Sequence, residues 1–124
     1  MVVDRHVGAP AGEVDLPGIG TARGFTGTLD DPETFYRFET FTAPPVLYRL
    51  DVSTGDSASV AVPRASDAEF VTEQVFYRSK DGTRVPMFLV HRPGLERDGD
   101  HPTLLYGYGG FNVAETPEYL VRWR

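Results

Sequence analysis

The chain has 124 residues, no cysteine and a formal net charge of −6, from 18 Asp and Glu against 12 Lys and Arg. That length suits one compact domain, so any second folding unit within it would be small or incomplete. The charge balance argues against a nucleic-acid footprint, since phosphate binding needs grouped cations and Lys80 is the only lysine; the lack of thiols excludes a disulfide framework, a thiolate zinc site and a cysteine nucleophile.

Charge is spread evenly, with nine acids against five arginines in residues 1–66 and nine acids against seven bases in residues 67–124, so neither part is a charged tail. Residues 1–10 carry Asp4, Arg5 and His6 where a secretory signal needs an apolar stretch, and no later segment approaches the roughly 20 apolar residues of a membrane span. A soluble chain is expected, cytoplasmic by default, with neither nucleic acid nor membrane as a partner.

Aromatic and β-branched residues recur in short runs separated by Gly, Pro, Asp and Ser, the pattern of a strand-rich protein with few helices. In chain order the runs predict strand Gly12–Leu16, a turn at Pro17-Gly18, strand Thr21–Thr26, a turn at Asp30-Asp31-Pro32, and strand Thr34–Phe41. Val46–Val52 and Ala58–Val62 flank Ser53-Thr54-Gly55-Asp56 and predict a hairpin. Within the first of these, Val46, Tyr48 and Leu50 alternate with Leu47, Arg49 and Asp51, as in a half-buried antiparallel strand. Four strands in about 40–45 residues is the scale of one propeller blade, so residues 1–62 hold more than one blade and fewer than two.

Pro63 to Glu69 is polar and marks a boundary. Beyond it, Phe70–Arg78 and Thr83–His91 flank Ser79-Lys80-Asp81-Gly82, whose Asp-Gly suits a tight hairpin turn. A charged loop from Arg92 to His101 follows, and after Pro102 the apolar run Thr103–Tyr106 is short enough for a buried strand.

Chemistry concentrates in Leu104-Leu105-Tyr106-Gly107-Tyr108-Gly109-Gly110-Phe111-Asn112, where an apolar run passes into three glycines interleaved with aromatic residues. Glycines there free the backbone for close approach and unusual dihedrals. In α/β-hydrolases the loop after an early strand supplies part of the oxyanion hole, commonly through an HGGG-type sequence. Here a tyrosine stands in place of that histidine, and the phenol of Tyr108 is able to donate a hydrogen bond to a developing alkoxide. Packing on a glycine-rich turn explains Tyr106 and Tyr108 equally well at this point. The run is not a dinucleotide fingerprint, because no glycine lies three residues beyond the second one.

His6, His91 and His101 are scattered and read as solvated or packed histidines, without metal spacing. None of Ser53, Ser57, Ser59, Ser66 and Ser79 lies in a G-x-S-x-G elbow. Asp30-Asp31, and Asp98 with Asp100, sit in turns where Asp caps the backbone and lack EF-hand spacing.

With these motifs in order, the chain resembles the prolyl oligopeptidase family of serine peptidases, in which a β-propeller covers an α/β-hydrolase domain. The resemblance runs from about Leu16 to Pro117. It is carried by Leu16-Pro17-Gly18-Ile19-Gly20, Gly24-Phe25, Asp31-Pro32-Glu33, Phe41-Thr42 and Pro45-Val46-Leu47-Tyr48-Arg49. It continues in Glu73-Gln74-Val75-Phe76-Tyr77, in Ser79-Lys80-Asp81-Gly82-Thr83-Arg84-Val85-Pro86-Met87-Phe88, and in Leu105 to Asn112. The last three motifs in order are the specific ones.

The resemblance implies a mainly β chain: the C-terminal part of a propeller over residues 1–66, then over residues 67–124 the first strands of an α/β-hydrolase domain. It implies that Tyr108 donates its hydroxyl to the oxyanion and that Phe111 lines the pocket for the substrate proline. The family's nucleophile, acid and base lie downstream of this motif and are not expected within the chain. No cofactor is implied, since the chemistry is acyl transfer by a serine. The implied partners are short proline-containing peptides, cleaved after proline by the complete enzyme, and the remaining C-terminal hydrolase segment. The chain alone is expected to be inactive. The competing readings are a non-catalytic binding module, one half of a split peptidase, and a truncated product.

Overall fold

The computed structural model describes residues 2–3, 10–28, 30–61 and 69–119, with only the backbone described at 2, 3, 10 and 11. The chain divides into two compact units, Met1–Ser66 with Pro117–Arg124, and Asp67–Thr116.

In the first unit, β1 (Val2–Val3) pairs antiparallel with β2 (Pro10–Gly12). The larger sheet contains β3 (Thr21–Thr26), β4 (Glu33–Glu39), β5 (Val46–Asp51) and β6 (Ser57–Ala61), each pairing antiparallel with the next in chain order. Such a four-stranded meander has the form of one propeller blade. Local chemistry turns the chain at each corner. Asp31 Oδ2 accepts from the Thr28 N–H at 2.6 Å between β3 and β4. Thr40 Oγ1 accepts from the N–H groups of Thr42 and Ala43 at 3.1 and 2.9 Å, ahead of the two prolines that lead into β5. Asp51 Oδ1 accepts from the N–H groups of Ser53 and Thr54 at 2.9 and 3.1 Å, and Gly55 at φ 80° closes the β5–β6 turn.

Alternation on β4 sends Tyr36 and Phe38 inward, where with Leu50 they form the buried core, flanked by Val14, Ala22 and Tyr48. Tyr36 stands opposite Tyr48, Thr34 opposite Leu50 and Phe38 opposite Val46. A bulge between Gly24 and Thr26 takes Phe25 out of register and turns its ring onto Tyr36, at 4.8 Å between centroids and 13° between planes. Tyr48 stacks on Tyr36 from the next strand at 5.2 Å. The bulge holds Phe25 at φ 58°, a conformation that few non-glycine residues adopt. On the same sheet an apolar groove of about 500 Å³ is lined by Val14, Leu16, Ala22, Phe25, Leu50 and Val52, among others. Pro117 is buried in this unit, and the Tyr119 N–H donates to Glu39 Oε2 at 2.9 Å.

The second unit contains one hairpin, β7 (Val71–Arg78) with β8 (Arg84–His91), in register from Val71↔His91 to Arg78↔Arg84. Gly82, at φ 85°, adopts the left-handed conformation expected of an Asp-Gly turn. The Asp81 carboxylate accepts from the Thr83 N–H at 3.0 Å and from the Ser79 hydroxyl. Its pKa is lowered from the ordinary 3.8 to about 2, chiefly by the Ser79 bond and then by the Thr83 amide.

Three expectations need correction. The strand predicted at Gly12–Leu16 ends at Gly12, because Glu13 to Leu16 alternate in polarity but meet no partner strand; Val14 still packs on the core. The strand predicted at Thr34–Phe41 ends at Glu39, because the Thr40 hydroxyl caps the turn that follows; it is paired on both sides, by β3 and β5. Thr103–Tyr106 forms no strand, since the only sheet described in its unit is the β7–β8 hairpin; Leu104 and Leu105 are exposed. Val62 and most of the boundary expected at Pro63–Glu69 lie outside the described residues.

Candidate functional site

The glycine-rich run lies in the second unit as irregular, exposed backbone. Gly107 and Gly109 have open space where a Cβ would stand. A Cβ on Gly110 would lie 3.6–3.7 Å from Tyr108 ring carbons and its hydroxyl, so the phenol folds back over Gly110. Gly110 C=O accepts from the Val113 N–H at 3.2 Å, and the central residues Phe111 and Asn112 have φ 53° and 55°. Positive φ at both centres is the signature of a type I′ turn, which usually takes Asn and Gly. Phenylalanine in that conformation is held at a local cost, a recurrent feature of functional segments. The turn leaves Phe111 93% exposed, with Tyr108 three residues away and 50% exposed. The segment thus presents together a phenolic donor and a large apolar ring, the two residues singled out in the sequence.

The three histidines fare differently. His6 lies outside the described residues, and His101 Nε2 stands 3.7 Å from Asp98 Oδ1. His91 joins a cluster that sequence reasoning missed. Its Nε2 lies 3.3 Å from Glu73 Oε1 and 3.3 Å from Arg97 Nη2, while Arg97 donates to Glu73 Oε2 at 2.6 Å. The Arg97 bond, then the His91 contact, lowers the Glu73 pKa. The Asp-Gly turn contained half of this signal, because its register makes Glu73 and His91 diagonal neighbours on one face; nothing local points to Arg97. The acidic pairs act as turn caps: Asp31 bonds Thr28, and Asp98 Oδ1 accepts from the Asp100 N–H at 3.0 Å. Among the described residues no group of three or more His, Cys, Asp or Glu is placed to hold a metal ion, and no helix is long and apolar enough to cross a membrane.

Residues 1–63, which include the four-stranded meander, match the family model described as prolyl oligopeptidase, N-terminal beta-propeller domain. The chain belongs to the prolyl oligopeptidase family. Similarity to family members extends over more of the chain than this model matches. The prolyl endopeptidase of Elizabethkingia miricola is 40% identical over 111 residues, covering 88% of this chain and 16% of that protein. Prolyl oligopeptidase ophP of Omphalotus olearius is 35% identical over 123 residues, covering 95% of this chain and 16% of its own length. A chain from solved structures of two prolyl endopeptidases superposes with a TM-score of 0.78 at 47% identity, over 94% of this chain and 18% of that one. The chain therefore spans about 16% of the length of these curated relatives.

Proposed function

We propose that this chain is the junction of a serine-type prolyl oligopeptidase, with the end of the propeller over residues 1–66 and the start of the α/β-hydrolase domain over residues 67–124. The complete enzyme cleaves short peptides after proline in the cytoplasm. Tyr108 donates its hydroxyl to the tetrahedral oxyanion, and Phe111 packs against the substrate proline. The remaining C-terminal hydrolase segment is the partner that supplies nucleophile, acid and base, since no serine of these 124 residues lies in a nucleophile elbow.

The observation that supports this most is the position of the Tyr106–Asn112 run. It follows a hairpin in a chain whose first 63 residues match the propeller model, and similarity to prolyl endopeptidases continues well beyond them. A phenol at that place needs no proton transfer of its own: its O–H donates where negative charge develops and strengthens as the carbonyl becomes an alkoxide.

The test combines the chain with a polypeptide that carries the downstream hydrolase segment, using a proline-directed chromogenic peptide. Neither piece alone should turn over, and the mixture should show activity that a serine-directed covalent inhibitor abolishes. Inhibitor-sensitive turnover by the chain alone would contradict the assignment.

A further inference from the structure

The Glu73, His91 and Arg97 cluster lies in the hairpin unit, and the glycine-rich run does not contain it. His91 Nδ1 faces the Arg92 carbonyl at 2.9 Å. A carbonyl only accepts, so Nδ1 bears a proton in every state that keeps this bond. The character of Nε2 is then decided by the charge of the ring. In neutral imidazole Nε2 is a bare lone pair; it accepts from Arg97 at 3.3 Å and has nothing to offer the Glu73 carboxylate at the same distance. In imidazolium Nε2 is a donor; it bonds Glu73 and opposes the Arg97 N–H groups.

We infer that His91 is a two-position proton switch for the segment after β8: neutral, it holds Arg97 through Nε2, and protonated, it transfers its bond to Glu73 and leaves Arg97 on Glu73 alone. Among the described residues, the charged groups that reach His91 are Glu73 of β7 and Arg97 of the following segment. The His101–Asp98 pair lies further along that segment. His91 is the most enclosed of the three side chains, and Arg97 the most exposed, so loss of one bond is felt mainly as release of Arg97. Exposed pairs contribute little each, so the expected effects are a few-fold.

Trypsin reads the switch directly, because cleavage after Arg97 requires its side chain to leave the cluster. At pH 8 the 124-residue chain should be cut there several-fold more slowly than its His91→Phe variant, with cleavage after the exposed Lys80 of the hairpin turn as the internal reference. At pH 5.5 the two should be cut at similar relative rates. Should the variant fold poorly, nitrogen chemical shifts of the His91 ring in the unsubstituted chain give an independent reading, with the neutral ring expected protonated at Nδ1. Equal variant-to-parent ratios at both pH values, or a neutral ring protonated at Nε2, would overturn the switch.

Discussion

At Gly20 a Cβ would meet the Phe38 ring and come within 2.5 Å of the Glu39 carbonyl oxygen. Both belong to β4, and Phe38 is a core residue, so neither yields without disturbing the blade. Gly20→Ala should cost about 1–3 kcal/mol, as overpacking generally does. Thermal denaturation checks it; an unchanged midpoint would mean the bend at 17–20 moves freely. Asp81 offers a test by pH. Its folded-state pKa is depressed, so its contribution is complete above the ordinary 3.8 and is lost as pH falls toward about 2. Protection of the Thr83 amide against hydrogen exchange should therefore persist at pH 5 and decline over that acid window. In Asp81→Asn the acid step should disappear. At this scale the sequence was uneven as a guide. Asp-Gly and Ser-Thr-Gly-Asp announce their turns because the required backbone conformations suit few residues. The positive φ of Phe25 and Phe111 had no such signal, since each depends on what surrounds it.

Element boundaries from Thr21 to Asp51, and the β7–β8 hairpin, were legible to within a residue or two because alternation and turn residues agree there. The failures share a cause. Glu13 to Leu16 and Thr103 to Tyr106 have strand composition but no neighbour to complete a ladder, and an unpaired run gains no backbone hydrogen bonds from being extended. β4, by contrast, has partners on both sides because two short turns deliver β3 and β5 to it. Its exposed Phe35 lies opposite Arg49 on the outer face, whereas among the described residues the sheet edges are β1, β2, β3, β6 and the two strands of the hairpin. Of the candidate site, Tyr108 was singled out by the glycine-rich run and Phe111 by the family resemblance. The turn that displays them was not, since Phe-Asn is an unusual centre for a type I′ geometry.

For the molecule as a whole, the described core of Tyr36, Phe38 and Leu50 is small, and Phe76, Tyr77, Val90, Leu105 and Phe111 remain exposed. Units of this size bury only about 60% of their unfolded surface even when complete. The chain alone should bind a hydrophobic dye and melt over a broad range, and the remaining hydrolase segment should reduce dye binding and sharpen the transition. A monodisperse monomer with a sharp, reversible transition would favour a stand-alone binding module instead. The central claim is that Tyr108 serves the transition state of an acyl transfer whose nucleophile comes from outside these residues. The most direct measurement is the steady-state kinetics of Tyr108→Phe in the reconstituted peptidase. The account predicts kcat lower by about 10²–10³ with KM nearly unchanged, because the lost hydrogen bond strengthens as the alkoxide forms. An unchanged kcat, or a loss expressed through KM alone, would contradict it and assign Tyr108 to packing or substrate binding.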